Sequence, residues 1–189
     1  MNVTTTLRWF AALGLALAAG SVPAHNPPRT DLQRPESFLR EVFGEQVPES
    51  ETIWMAGDVV PRVRAILGHK PLQLRIPYWR RGGRTAWVLE ESMEGAPVTA
   101  GVVMEGTRIA QVRILVYGAR HGRDVTTPGF LNQFKGASLN GPHQTLDRVI
   151  RDDAGVGHPA ELIIGLARLA LYLNEQTLSA ADAQPGWSP

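Results

Sequence analysis

The chain contains no cysteine, and this absence removes several classes of function at once. Disulfide bonds, thiol redox chemistry, cysteine-ligated zinc and iron–sulfur clusters all need a thiol, so none of them is available. The chain also lacks a surplus of charge, because 19 lysines and arginines stand against 18 aspartates and glutamates. Binding to a nucleic-acid backbone needs a positive surplus, so we expect no nucleic-acid partner.

The sequence also lacks the short motifs of common enzymes and metal sites. It has no phosphate-binding loop, no dinucleotide fingerprint, no HExxH and no GxSxG. The histidines form no pair at i, i+4 on a predicted helix, so we expect no metal. One alternative stays open, in which a metal or haem is bound across loops by His121, His143 and His158.

No apolar run is long enough to cross a membrane. Residues 9–20 are apolar but fall short of the roughly 20 residues that a spanning helix needs. Arg8 precedes this run and Val22-Pro23-Ala24 follows it, which is the pattern of a secretory signal peptide. We therefore expect export to the periplasm or beyond, with cleavage near Ala24, and leave membrane association open. Cleavage removes one charge, Arg8, and leaves a neutral chain.

Composition divides the chain into four parts: a signal peptide at 1–24, a linker at 25–35, a single domain at 36–178 and a flexible tail at 179–189. Prolines at 27, 28 and 35 favour an extended linker. Small and polar residues predict a frayed tail.

Hydrophobic periodicity within the domain predicts an α+β fold. Apolar residues recur at helical spacing over 36–43, 59–67, 128–134 and 159–176, with Asp58 and Thr127 as N-caps and Gly68 as a terminator. They alternate with period two near 72–79, 98–104 and 110–116, and residues 85–90 are a further strand candidate. We expect an antiparallel meander of about four strands, packed against a buried C-terminal helix and short N-terminal helices. Pro77 favours an edge strand.

A glycine-rich turn, Gly155-Val156-Gly157, opens the last helix just before His158 and Pro159. Its glycines allow close approach of a ligand to the backbone, and free amides at a helix N-terminus attract anions. A simple tight turn before a docked helix is the alternative.

The sequence also contains a basic turn formed by Arg80, Arg81 and Arg84. This turn is compatible with binding of an anionic partner or with a hairpin that is merely exposed.

Residues 98–173 resemble the flavin mononucleotide (FMN)-binding domain family, which includes the flavin-carrying subunits of sodium-translocating and Rnf-type electron-transport complexes. The closest similarity is to small, exported, stand-alone members. A hairpin at 97–117 is followed by a loop of the form glycine–x–acid–valine–x–x–proline–x–phenylalanine–leucine, matched by Gly122, Asp124, Val125, Pro128, Phe130 and Leu131. Gln-Phe-Lys-Gly at 133–136 and the apolar last helix come next.

In that family a serine–glycine–alanine–threonine–x–serine motif opens the last helix, and its threonine can be esterified to the flavin phosphate. Alignment from Gly165 places residues 153–158 on this motif. Val156 then stands at the threonine and His158 at the last serine, while Ala119 replaces a family glutamate. Valine has no hydroxyl, so the resemblance implies FMN held without a covalent bond.

The resemblance implies a flavin site with two parts. The phosphate is expected on the amides of Gly155, Val156, Gly157 and His158. The isoalloxazine ring is expected near Thr127, Phe130 and Gln133, with Trp87 as a stacking wall.

The resemblance implies that the chain is an exported electron-transfer domain. Its electrons are then expected to come from a membrane-bound cytochrome or reductase. Such a protein is an electron carrier rather than an enzyme with its own catalytic residues, since the flavin performs the redox chemistry. The alternative is a flavin-free, degenerate family member that acts as a periplasmic interaction or scaffold protein.

Overall fold

The computed structural model describes residues 32–141 and 145–182, which form an antiparallel sheet with helices on both faces. The sheet contains, in spatial and chain order, β1 (Ser50–Trp54), β2 (Arg75–Arg81), β3 (Arg84–Met93), β4 (Ala96–Glu105) and β5 (Arg108–Tyr117). The helices are α1 (Pro35–Phe43), α2 (Val59–Leu67), α3 (Pro128–Leu131) and α4 (His158–Asp182). A small hairpin pairs β6 (Leu139–Asn140) with β7 (Thr145–Leu146). The expected α+β arrangement of a meander and a packed C-terminal helix is confirmed.

The two faces of the sheet bury different helices. The larger core lies where α4 and α2 pack on one face, around side chains such as Trp87, Leu166 and Leu173. On the other face, α1 places Phe38 against Val103 and Leu115 in a second cluster. The alternating side chains of a strand point to opposite faces, so both sets of alternating positions in β3 and β4 are largely buried.

The structure corrects the sheet in two places. β1 was not expected, and it adds a fifth strand beside β2. β2 begins at Arg75, so Leu72 and Leu74 lie outside the sheet and are 61% and 70% exposed. β2 is not an edge strand, but Pro77 pairs only with β1, because the pairing of β2 with β3 starts at Tyr78. Proline is tolerated there since β3 needs no hydrogen bond from it.

Helix ends differ from expectation at the C-terminus. α4 continues to Asp182, beyond the predicted end near Gln176, because residues 177–182 contain no glycine or proline to end the helix. The predicted helix at 128–134 divides into α3 and a 3₁₀ turn, Asn132–Phe134.

At the N-terminal end of the domain, the amides of Leu32 and Gln33 donate to the carbonyl of Leu115. The last part of the predicted linker is therefore held against β5.

Several expectations fall on residues outside the described ranges: the signal peptide at 1–24, the first part of the linker, His143 and the end of the tail. Within the described ranges, none of the helices combines the length and apolar character that crossing a bilayer requires.

Candidate functional site

A cleft of about 260 Å³ lies between the loop that follows β5 and the loop that precedes α4. Its lining combines Thr127, Phe130 and Gln133 from the first loop with Val156 from the second. These four residues were predicted for the flavin site from two separate segments, and the structure brings them together around one cleft. Gly155, Gly157 and His158 do not line it.

The first loop is fixed to the sheet and to the start of α4. The Tyr117 hydroxyl donates to the carbonyl oxygen of His121 at 2.5 Å, and burial raises the pKa of this tyrosine, which keeps it a neutral donor. Gly122 follows with a φ of 72°, and a Cβ there would lie 2.5 Å from Cγ of Pro159. Only glycine satisfies both the positive φ and this contact, so the loop approaches α4 closely at that point.

Thr127 and Phe130 form the wall and floor of the cleft. As predicted, Thr127 is the N-cap of α3: its Oγ1 accepts from the amide of Phe130 at 3.5 Å and donates to the carbonyl of Asp124 at 2.6 Å. The Phe130 ring is 8% exposed and meets Phe134 edge to face, with centroids 5.7 Å apart. The floor of the cleft is therefore part of the buried core.

A pair of hydrogen bonds between Gln133 and the backbone of Arg151 joins the two loops. The Gln133 amide nitrogen donates to the Arg151 carbonyl at 3.0 Å, and its oxygen accepts from the Arg151 amide at 2.8 Å. Gln133 was predicted only as a neighbour of the flavin ring. Its structural role was missed, because no local pattern links two residues so distant in the chain.

The turn before α4 already binds an anion, which is the carboxylate of Asp152. Its Oδ1 accepts from the amide of Val156 at 3.0 Å and its Oδ2 accepts from the amide of Gly157 at 2.6 Å. The amide of Gly155 donates to the Asp152 carbonyl at 3.0 Å. The amides therefore bind an anion as their position predicts, but a phosphate does not fit onto them beside Asp152.

Two predicted site residues lie elsewhere. His158 begins α4, is exposed, and places Nδ1 3.9 Å from Oε2 of Glu161, on the side of a neighbouring cleft between α2 and α4. Trp87 is completely buried and stacks on Tyr78 with ring centroids 4.7 Å apart. The prediction of Trp87 as a stacking wall is wrong, because β3 turns this side chain into the core beneath α4.

The described part of the chain gives no geometric support to the alternative in which histidines bind a metal or haem. Within those residues, no group of three or more histidine, aspartate or glutamate side chains is arranged to hold a metal ion. His121 is an exposed loop residue whose carbonyl accepts from Tyr117.

Comparison with known proteins gives no assignment: no protein-family model, curated protein or solved structure matches the chain.

Proposed function

We propose that this chain is an exported electron-transfer domain that resembles the FMN-binding family and binds FMN non-covalently. The observation that supports the proposal best is the cleft itself. Its walls combine residues from two segments that the resemblance assigned to one flavin site before their spatial relation was known. When bound, the isoalloxazine ring supplies the redox chemistry, and the chain holds, orients and shields it.

The ring side of the site has polar groups that are held in place. Gln133 uses one N–H and one lone pair on Arg151, which leaves a second N–H and a second lone pair for a ligand. Gly129 has ordinary backbone angles and nothing but Thr127 Oγ1 within 4 Å of where its Cβ would be, so a flat ring can lie close to α3 there. Small-molecule sites usually enclose about 300–1,000 Å³, so a cleft of 260 Å³ holds part of FMN and leaves the rest at the surface.

The phosphate side requires an exchange of anions. The amides of Val156 and Gly157 bind the Asp152 carboxylate, so a phosphate reaches them only when that carboxylate moves away. Asp124 and Asp153 also line the cleft and add negative charge near the phosphate. FMN is therefore expected to bind only modestly better than riboflavin, which has the same ring and no phosphate. By the resemblance, the electron donor is a membrane-bound cytochrome or reductase.

The test is a titration of the exported chain with FMN and, separately, with riboflavin, followed by flavin fluorescence and by absorption after ultrafiltration. Gly129→Leu places an apolar side chain over the cleft at a helical position that tolerates leucine. Gly83→Leu is the matched control, because Gly83 lies in the β2–β3 turn with open space around it. We expect binding of FMN to the original chain and to Gly83→Leu, and loss of binding in Gly129→Leu. Equal binding by both variants would exclude this cleft.

A second function is favoured by one specific observation. If the carboxylate of Asp152 is a permanent occupant of the anion site, the chain is a flavin-free relative that serves as a periplasmic interaction or scaffold protein. Absence of flavin binding in the original chain, and also in a variant without this carboxylate, is the result expected for that function.

A further inference from the structure

We propose that Asn140 is a site of spontaneous modification, because its short hairpin leaves its side-chain amide free to convert to aspartate or isoaspartate. Asn140 is the last residue of β6, and Gly141 follows it in the turn towards β7. Neither residue lines the proposed flavin cleft, so this proposal goes beyond flavin binding and does not depend on it.

The reaction joins the backbone of Gly141 to the side chain of Asn140, and asparagine is among the thermolabile residues. The amide nitrogen of Gly141 attacks Cγ of Asn140, the bond from Cγ to Nδ2 breaks, and ammonia leaves with the proton of the Gly141 amide. The product is a cyclic imide, a succinimide. Water then opens this ring at one carbonyl to give aspartate, or at the other to give isoaspartate. No electrons are transferred, and water is the co-reactant.

Gly141 presents an unhindered nucleophile. Glycine has no side chain to shield its nitrogen, and its φ of 62° is a conformation that favours glycine. Its chain neighbours aside, no atom of the described residues lies within 4 Å of the position that a Cβ would take. Asn140 and Gly141 are both exposed, so water reaches the ring that forms.

The hairpin around Asn140 gives the main chain the freedom that ring closure needs. The ring closes only when Asn140 leaves the extended conformation of a strand. β6 and β7 contain two residues each, and the pair of Asn140 with Thr145 lies next to the turn. Isolated two-stranded hairpins are marginally stable, and end pairs open at little cost in free energy. The folded protein therefore reaches the reactive conformation without unfolding its core.

The other two asparagines in the described ranges lack this combination. Asn174 lies within α4, is 1% exposed, and uses its side chain in hydrogen bonds with Thr85 and with the Gly106 carbonyl. Asn132 begins the 3₁₀ turn after α3 and is followed by Gln133, whose side chain hinders attack by its own amide nitrogen. Modification is therefore expected at Asn140 first.

The test is incubation of the folded, exported chain in mildly alkaline buffer, followed by digestion and peptide mass spectrometry. Conversion exchanges ammonia for water and so raises the peptide mass, and labelling by an isoaspartyl methyltransferase identifies the isoaspartate product. We expect conversion at Asn140 before Asn132 and Asn174, and loss of the mass change in Asn140→Gln.

A matched control separates the local fold from the dipeptide sequence. Glu105→Asn creates a second asparagine before a glycine, because Gly106 follows with a φ of 59° and equally open space. The Gly106 amide, however, donates to the Gly83 carbonyl at 2.9 Å, in a turn between two strands of ten residues. We expect position 105 of this variant to convert about tenfold more slowly than Asn140, because one hydrogen bond of ordinary strength holds its nucleophile. In concentrated urea the two positions should convert at similar rates.

Two results would overturn the proposal. One is no conversion of Asn140 in the folded chain during a period that converts it in urea. The other is equal conversion of position 105 and Asn140 in a Glu105→Asn variant that melts like the original chain, because the dipeptide alone would then set the rate.

Discussion

Substitution of Asp152 tests both the anion site and the placement of the flavin phosphate. Asp152→Ala removes the two hydrogen bonds that its carboxylate accepts from Val156 and Gly157 at the start of α4. Loss of a helix-capping side chain costs about 0.5–2 kcal/mol, and bonds to a charged acceptor lie at the upper end. Asp152 is partly exposed, so we expect a loss of about 1–2 kcal/mol. This corresponds to a fall in Tm of about 3–6 °C for a domain of this size.

The same substitution should change flavin binding in a ligand-specific way. If FMN phosphate must displace the carboxylate, removal of that carboxylate strengthens FMN binding by up to the free energy just given. This is about 5- to 30-fold in Kd. Riboflavin has no phosphate, so its affinity should stay unchanged.

The matched control is Asp153→Ala, which removes a neighbouring exposed carboxylate that lines the same cleft. It lowers the local negative charge equally but leaves the bonds to Val156 and Gly157 intact. Both variants are compared by thermal melting and by titration with each flavin. Equal Tm values for the two variants would refute the anion site. A lower Tm for Asp152→Ala without a gain in FMN affinity over Asp153→Ala would refute the phosphate placement alone.

Two further predictions concern stability. Gly101→Ala should cost about 1–3 kcal/mol, because the new Cβ would lie 2.7 Å from Cζ of buried Phe38, whereas Gly83→Ala meets no atom within 4 Å and should be neutral in urea unfolding. A hydrogen bond from Arg148 lowers the pKa of Asp147 from 3.8 to about 2, so its contribution is present above pH 4 and is lost as the pH falls towards 2. Asp147→Asn should therefore lose about 1 kcal/mol near neutral pH, since water screens this site, and should show a flatter decline of stability between pH 4 and 2. If the free energy of unfolding of Asp147→Asn fell as steeply between pH 4 and 2 as that of the original chain, the lowered pKa of Asp147 would be contradicted.

Local chemistry alone was enough to predict most elements of the fold. The bounds of α2 follow from the periodicity of 59–67 and from Gly68, which adopts the left-handed conformation at the helix end. Alternation of apolar residues predicted β4 and β5, because each of these strands buries one face in the core. Residues 85–90 were a strand candidate as well, and β3 contains them. The N-cap at Thr127 was equally predictable from the sequence, since its hydrogen bond joins residues only three apart.

Elements whose stability comes from distant partners were missed. β1 is short and mostly exposed, and it exists because β2 offers it a pairing edge. The alternation that includes Leu72 and Leu74 has the period of a strand, yet β2 starts only at Arg75. Periodicity cannot tell whether a neighbouring strand is present to pair with those residues.

The candidate site shows the same division. The sequence by itself determined that a glycine-rich turn with free amides precedes a buried helix, and the resemblance then named the residues around it. The group that those amides bind, the carboxylate of Asp152, lies only four and five residues away, so this contact is local although it was missed. Only the tertiary structure decided that Gln133 joins two loops and that Trp87 lies in the core. The reason is physical: backbone conformation depends on nearby residues, whereas the partner of a hydrogen bond and the burial of a ring depend on how separate segments pack.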